Sequence, residues 1–120
     1  MIEFTIPLAP YTKKNHTQNF VRNGRAIVIP SKEFMKYQKE ARPYIPEIDT
    51  ITAPVNIKAV FYVKGRYRVD LVNLEQALLD ILVKYGVIED DNYKVVHSMD
   101  GSYVDYDKEN PRTEVTIWEL

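Results

Sequence analysis

The stretch that decides the fold is "RYRVDLVNLEQALLDILVKYG", residues 66–86. Advancing about 100° per residue from Asp70 gathers Leu71, Leu74, Leu78, Ile81, Leu82 and Tyr85 into one broad apolar arc, which is the pattern of an amphipathic helix. Asn73, Asp80 and Lys84 fall with Asp70 on a roughly opposite stripe, with Gln76 at its edge and Ala77 inside it. Val72 and Leu79 lie beyond the apolar arc, so the helix carries apolar surface on more than one side. A sheet on one side and a second surface on the other, of which a subunit interface is one candidate, would account for that. The spacing predicts a helix from about Leu71 to Tyr85, with Gly86 as its C-terminal stop.

Asp70 stands at the N-terminal end of this helix, and two roles are open to it. Its carboxylate could cap an orphan backbone N–H and complement the helix dipole. The same placement suits a ligand to a hard cation such as Mg²⁺, which takes few carboxylates from a rigid element. Upstream, Lys64, Arg66 and Arg68 alternate along an extended segment, so all three could face one way toward phosphates. Tyr67 lies between them, placed either to stack or to pack.

Just past the helix comes "GVIEDDNYKVV", residues 86–96, with Glu89, Asp90, Asp91 and Asn92 in a row. Such residues are ordinary in a solvated turn. They are also oxygen donors able to complete a divalent-cation site begun elsewhere. A helix of this length spans about 20 Å, so Asp70 and Asp91 sit at opposite ends of it unless the chain folds back.

The flanking chain reads mainly as strand. Ile2, Phe4, Ile6 and Leu8 alternate with polar residues or proline, and Val55, Ile57, Ala59, Phe61 and Val63 share one face opposite Asn56 and Lys58. Asn23–Gly24 within "VRNGRAIVI" is a hairpin signal, since both residues tolerate positive φ. Two further strands are expected near Tyr93 to Met99 and Thr113 to Leu120, with Asp100–Gly101 and Asn110–Pro111 marking turns between them. Ser31 is placed to cap a first helix through Phe34, Tyr37, Gln38 and Ala41 that ends before Pro43. The predicted order is β, hairpin, α, β, α, β, β. The fold class expected is α+β, a single small domain over residues 1–120 with a mixed or antiparallel sheet and two helices.

Composition bounds the function. A chain of 120 residues with 45% hydrophobic and 28% charged residues fits one soluble globular domain. There is no cysteine, so no disulfide or thiolate metal site. No apolar run is long enough to span a bilayer and the start lacks a signal peptide's basic region, so a cytoplasmic location is expected. Net charge is −1, but residues 1–68 hold 12 Lys and Arg against 5 Asp and Glu, and the remainder 4 against 12. One half thus suits a polyanion and the other carries carboxylates, unless folding interleaves the two. Lys13, Lys14, Asn15 and His16 add a second polar and basic cluster. No Ser-His-Asp arrangement, P-loop, dinucleotide fingerprint or zinc spacing occurs.

"RVDLVNLEQALLDIL" followed by "GVIEDD" resembles the RusA family of Holliday junction resolvases, and the similarity extends to the length, the opening strand leading to "PYTKKN", and the late strands. The most specific elements are Asp70, Asn73 and Leu74, the pair Leu79–Asp80, and the acidic pair Asp90–Asp91. The resemblance implies a homodimeric, Mg²⁺-dependent endonuclease, with Mn²⁺ as a substitute ion, that cuts four-way DNA junctions symmetrically in recombination and repair; such proteins are often carried by prophages. It implies catalytic roles for Asp70 and Asp91, metal binding by Asp70, Asp90 and Asp91, and DNA contacts by Lys13, Lys14, Asn15, His16, Arg66, Arg68 and Asn73. Two residues depart from the family's Asp-x-Asp-Asn-Leu motif and the lysine after it: Val72 replaces the second aspartate and Gln76 the lysine. Valine cannot ligate a cation, so the alternative is a junction-binding protein with impaired or no cleavage. A different class again is a small protein-interaction module whose charges are merely solvated.

Overall fold

The structure is a computed structural model. It describes all residues except 13–16, 23, 24, 31 and 67, and only the backbone of 17–22 and 25–30. The elements run β1 (Ile2–Ile6), β2 (Thr17–Arg22), β3 (Arg25–Pro30), α1 (Lys32–Ala41), a 3-10 turn (Arg42–Tyr44), β4 (Val55–Val63), α2 (Leu71–Lys84), β5 (Val96–Ser98), β6 (Tyr103–Tyr106) and β7 (Arg112–Glu119). β2 and β3 pair antiparallel out to Arg22 and Arg25, as a hairpin turning at Asn23–Gly24 requires, although that pair itself lies outside the described residues. Ser31, the expected cap of α1, lies outside them too.

The remaining five strands form one mixed sheet. Its path is β1-β7-β4-β5, with β6 also pairing to β4. β7 runs antiparallel to both β1 and β4, while β5 and β6 run parallel to β4. β4 is therefore central. One flank is covered along most of its length by β7, and the other is shared by β5 at its start and β6 at its end. Parallel strands need a crossover between them, and α2 supplies it. The α+β class with two helices and a mixed sheet is what the alternation of periods predicts.

The core forms where the apolar faces meet. Val55, Ile57, Ala59, Phe61 and Val63 of β4 are buried with Leu74, Leu78, Ile81 and Leu82 of α2, together with Phe34, Tyr37 and Ala41 of α1. Burial pushes the Tyr37 phenol up to about 12, because its charged form would have to leave water.

Three local expectations are corrected. Ala77 and Leu79, assigned to the polar stripe and to a second apolar side, are both buried in the chain's own core, so of that second side only Val72 remains open, at 71% exposure. Asn56 is buried as well: its amide donates to the Asp100 carbonyl, and its Oδ1 accepts from Ser98 Oγ and the Asp100 N–H. The strand expected from Tyr93 shrinks to three residues, since the Asn92 carbonyl accepts from the N–H groups of Val95 and Val96 and turns that segment. β6 was not expected at all. It pairs with β4, and Arg112 fastens the turn that follows it, lying 3.8 Å from the centre of the Tyr62 ring and pairing with Asp107 and Glu114 at 2.9 Å each. Among the described residues, no helix is long and apolar enough to cross a membrane.

Candidate functional site

Two open grooves, one before the start of α2 and one beside its C-terminal half, hold most of the described candidate residues. The first is formed where the end of β4, the end of β6 and the start of α2 converge. It has a volume of about 450 Å³ and takes in Arg66, Arg68 and Asp70, with Tyr106 as an aromatic wall. Arg66 lies over that ring, 4.5 Å from its centre, a cation–π contact that holds a guanidinium at the groove's rim.

Asp70 is the N-cap residue by backbone, with extended φ and ψ of −85° and 128°, and its carbonyl accepts from the N–H groups of Asn73 and Leu74. Its carboxylate makes no capping hydrogen bond. Instead Asn73 Nδ2 donates to Asp70 Oδ2 at 3.3 Å. The capping role is thus corrected for the side chain: the carboxylate is left exposed beside two arginines.

The second groove holds the acidic turn. Gly86, at φ +76°, ends α2 in a conformation that suits glycine, and the chain reverses there. Val87 and Ile88 then bury themselves, and Ile51 pairs with Ile88, exchanging backbone hydrogen bonds with Val87 and Glu89. This anchor directs the next residues back along the helix. Asp90 is locked by its own turn: Oδ1 accepts from the Asp91 N–H at 2.7 Å and Oδ2 from Asn92 Nδ2 at 3.1 Å. The Asp91 N–H, with that residue's side chain and Asn92 adding less, holds the Asp90 carboxyl below its usual range.

Asp91 reaches the middle of α2. Gln76 Nε2 donates to Asp91 Oδ2 at 3.1 Å and to Asp80 Oδ1 at 3.0 Å, so one amide nitrogen draws two carboxylates together. Asp80, Asp90 and Asp91 line this groove of about 340 Å³ with Lys84, whose ammonium donates to Gln38 Oε1 at 3.3 Å. The structure therefore brings Asp90, Asp91 and Asp80 together, and separately Arg66, Arg68 and Asp70. Asn73 and Gln76 stand between the two sets on the same helix. Asp70 and Asp91 do not line one groove. Lys13, Lys14, Asn15 and His16 lie outside the described residues.

Tested against a divalent cation, the donors have the right chemistry. They are exposed oxygens, and Mg²⁺ takes only one or two carboxylates when phosphate oxygens and water fill the rest. What the chain lacks is a ready-made cage: among the described residues, no group of three or more His, Cys, Asp or Glu is placed to hold a metal ion. Val72, one turn before Gln76, supplies no oxygen where the two sets would join.

Comparison with known families bears directly on this arrangement. The family model described as endodeoxyribonuclease RusA matches residues 7–118. The chain belongs to the RusA endodeoxyribonuclease family. That family comprises Holliday junction resolvases that depend on divalent metal and bind junction DNA. No curated protein matches the chain. Sequence reading missed the part that two residues play in this candidate site. Gln76 registered as a departure and not as a bridge, because no spacing rule foretells that Asp91 returns to it. Tyr106 gave no signal, because "SYVDY" lacks a clean alternation of apolar and polar residues.

Proposed function

We propose that this RusA protein acts through a single resolvase domain, as a homodimer, on four-way DNA junctions, and that it hydrolyses a phosphodiester bond with Mg²⁺. The observation that carries this reading is the uncapped Asp70 carboxylate beside Arg66 and Arg68 in an open groove, with the acidic turn drawn back onto the same helix by Gln76. In this reading Asp70 holds the ion at the arginine-lined groove, with Asp91 and its neighbour Asp90 as downstream donors. Bound there, Mg²⁺ supplies Lewis-acid stabilisation of phosphate charge and an activated water. Arg66 and Arg68 hold the backbone without reading bases, as Lys13, Lys14, Asn15 and His16 would from their loop. A two-fold dimer matches a junction, which offers two equivalent strands. The ion is Mg²⁺ or Mn²⁺, and the compartment is the cytoplasm.

A second reading rests on Val72 and Gln76. With valine exposed in the motif and an uncharged amide occupying the space between Asp80 and Asp91, the protein binds junctions but turns over weakly or not at all. One experiment separates the readings. Purified protein is mixed with a synthetic four-way junction and with linear duplex of the same sequence, with and without Mg²⁺. Symmetric nicks that need Mg²⁺ support the first reading, and junction-selective retention without products supports the second. Equal, weak affinity for both DNAs rejects both.

A further inference from the structure

The groove at the start of α2 is built for more than a phosphate. A phosphate clamp needs donors and positive charge, which Arg66 and Arg68 supply. It has no use for an apolar floor or an aromatic wall. Yet the floor of this groove is Val63, Val69 and Val104, and its wall is the Tyr106 ring, which keeps 37% of its surface exposed even with the Arg66 guanidinium against it. The ring lies on β6, whose only described partner is β4; the Tyr106 N–H is taken by Asp105 Oδ1 at 2.8 Å, and Asp105 lines the groove beside Asp70. Cation, ring and apolar lining together match the parts of one nucleotide. Phosphate goes to the arginines, and the base lies flat on an aromatic surface.

We propose that this groove receives one unstacked nucleobase from the strand whose phosphates lie on Arg66 and Arg68, with Tyr106 as its stacking platform. The proposal rests on the reading of the protein as a binder of branched DNA and adds to it a source of structure selectivity. A base at a branch point has already lost part of its stacking, so drawing it into the groove costs less there than in continuous duplex. Arg66 has two tasks in this arrangement: it meets the backbone, and it holds the Tyr106 ring from one side.

The test is a double-mutant cycle between protein and DNA. Wild type, Tyr106→Ala and Tyr106→Phe are titrated onto a four-way junction, and onto junctions carrying an abasic residue at each nucleotide flanking the branch in turn. Thermal melts establish that each variant is folded. The expected result is that Tyr106→Ala weakens binding of the intact junction by about 5- to 150-fold, the span one base–aromatic stack carries. Tyr106→Phe stays close to wild type. At one abasic position the penalty of Tyr106→Ala disappears. Binding of Tyr106→Ala equal to wild type, or a penalty unchanged at every abasic position, overturns the groove and leaves the junction reading standing. Wild-type protein that binds junction no better than duplex overturns both.

Discussion

Replacing Val72 by aspartate tests the division of the site most directly. Val72 occupies the second position of α2 and is 71% exposed, so removing its isopropyl group forfeits only a small share of the roughly 1.5–3 kcal/mol that full burial of such a side chain is worth. A carboxylate in the first turn gains about 0.3–1 kcal/mol from the helix dipole, and valine and aspartate have similar helix propensity. The terms nearly cancel, so the melting temperature of Val72→Asp stays within a few degrees of wild type. The effect on cation binding is larger. Position 72 lies one turn before Gln76, with about 5–6 Å between their Cβ atoms, so the new carboxylate enters between Asp70 and the amide that holds Asp91. Loss of even an outer-sphere partner typically costs a metal site about 10- to 100-fold. A directly ligating oxygen gained here therefore tightens Mn²⁺ binding by at least about tenfold. Calorimetric titration with Mn²⁺ measures that step, and junction cleavage as a function of Mg²⁺ concentration should show half-saturation falling by a similar factor. Identical half-saturation in a folded Val72→Asp protein would refute the idea that Asp70 and Asp91 serve a single ion.

Three further outcomes follow from individual contacts. Gln76→Leu removes both amide hydrogen bonds from Asp80 and Asp91, so amides of residues 89–92 should exchange several-fold faster while global stability falls by only about 1 kcal/mol, since the contacts are exposed. Asn56→Ala removes the buried amide that holds the turn at Ser98 and Asp100 and should lower stability by about 2 kcal/mol in urea denaturation. Burial raises the Tyr37 phenol from its ordinary value of 10 to about 12 in the folded protein, so its contribution is fully present below pH 10 and is lost as pH rises toward 12, a loss on the order of a few kcal/mol. Denaturation midpoints between pH 9 and 12 should show this decline in wild type, and a much shallower one in Tyr37→Phe.

The elements legible in the sequence are those whose own periodicity decides them. α2 is bounded within a residue by its apolar arc and by Gly86, and β4 by an apolar residue at every second position from Val55 to Val63. Ala77 and Leu79 were misjudged because an angular plot marks where a side chain points and not how far a neighbouring layer reaches around the helix. Asn56 was misjudged for a related reason. A polar residue in an alternating strand reads as solvent-facing, and only the turn at Asp100, more than forty residues on, supplies the hydrogen bonds that let it be buried. β6 is four residues long and exists because it pairs with β4, so the information that makes it a strand lies outside its own sequence.

The site was legible in its chemistry and not in its geometry. Arg66 and Arg68 ahead of Asp70 mark a place where anion and cation could meet, and Asp90 and Asp91 mark candidate donors. Whether the donors return to the helix, however, depends on two apolar residues that have no polar role. Val87 and Ile88 are buried at 0% and 1% exposure, and Ile88 is fastened to Ile51 on the far side of β4's approach. If that anchor were slack, the acidic turn would be an ordinary solvated loop, and Gln76 would have only Asp80 within the same helix to bond. Because it is firm, Asp91 stands beside the middle of α2 rather than beyond its end, one helical turn past the valine that interrupts the family's motif. Position 72 lies on the stretch of α2 between Asp70 and Gln76 and is exposed, and for this reason a single surface substitution there is expected to change catalysis while leaving the fold alone.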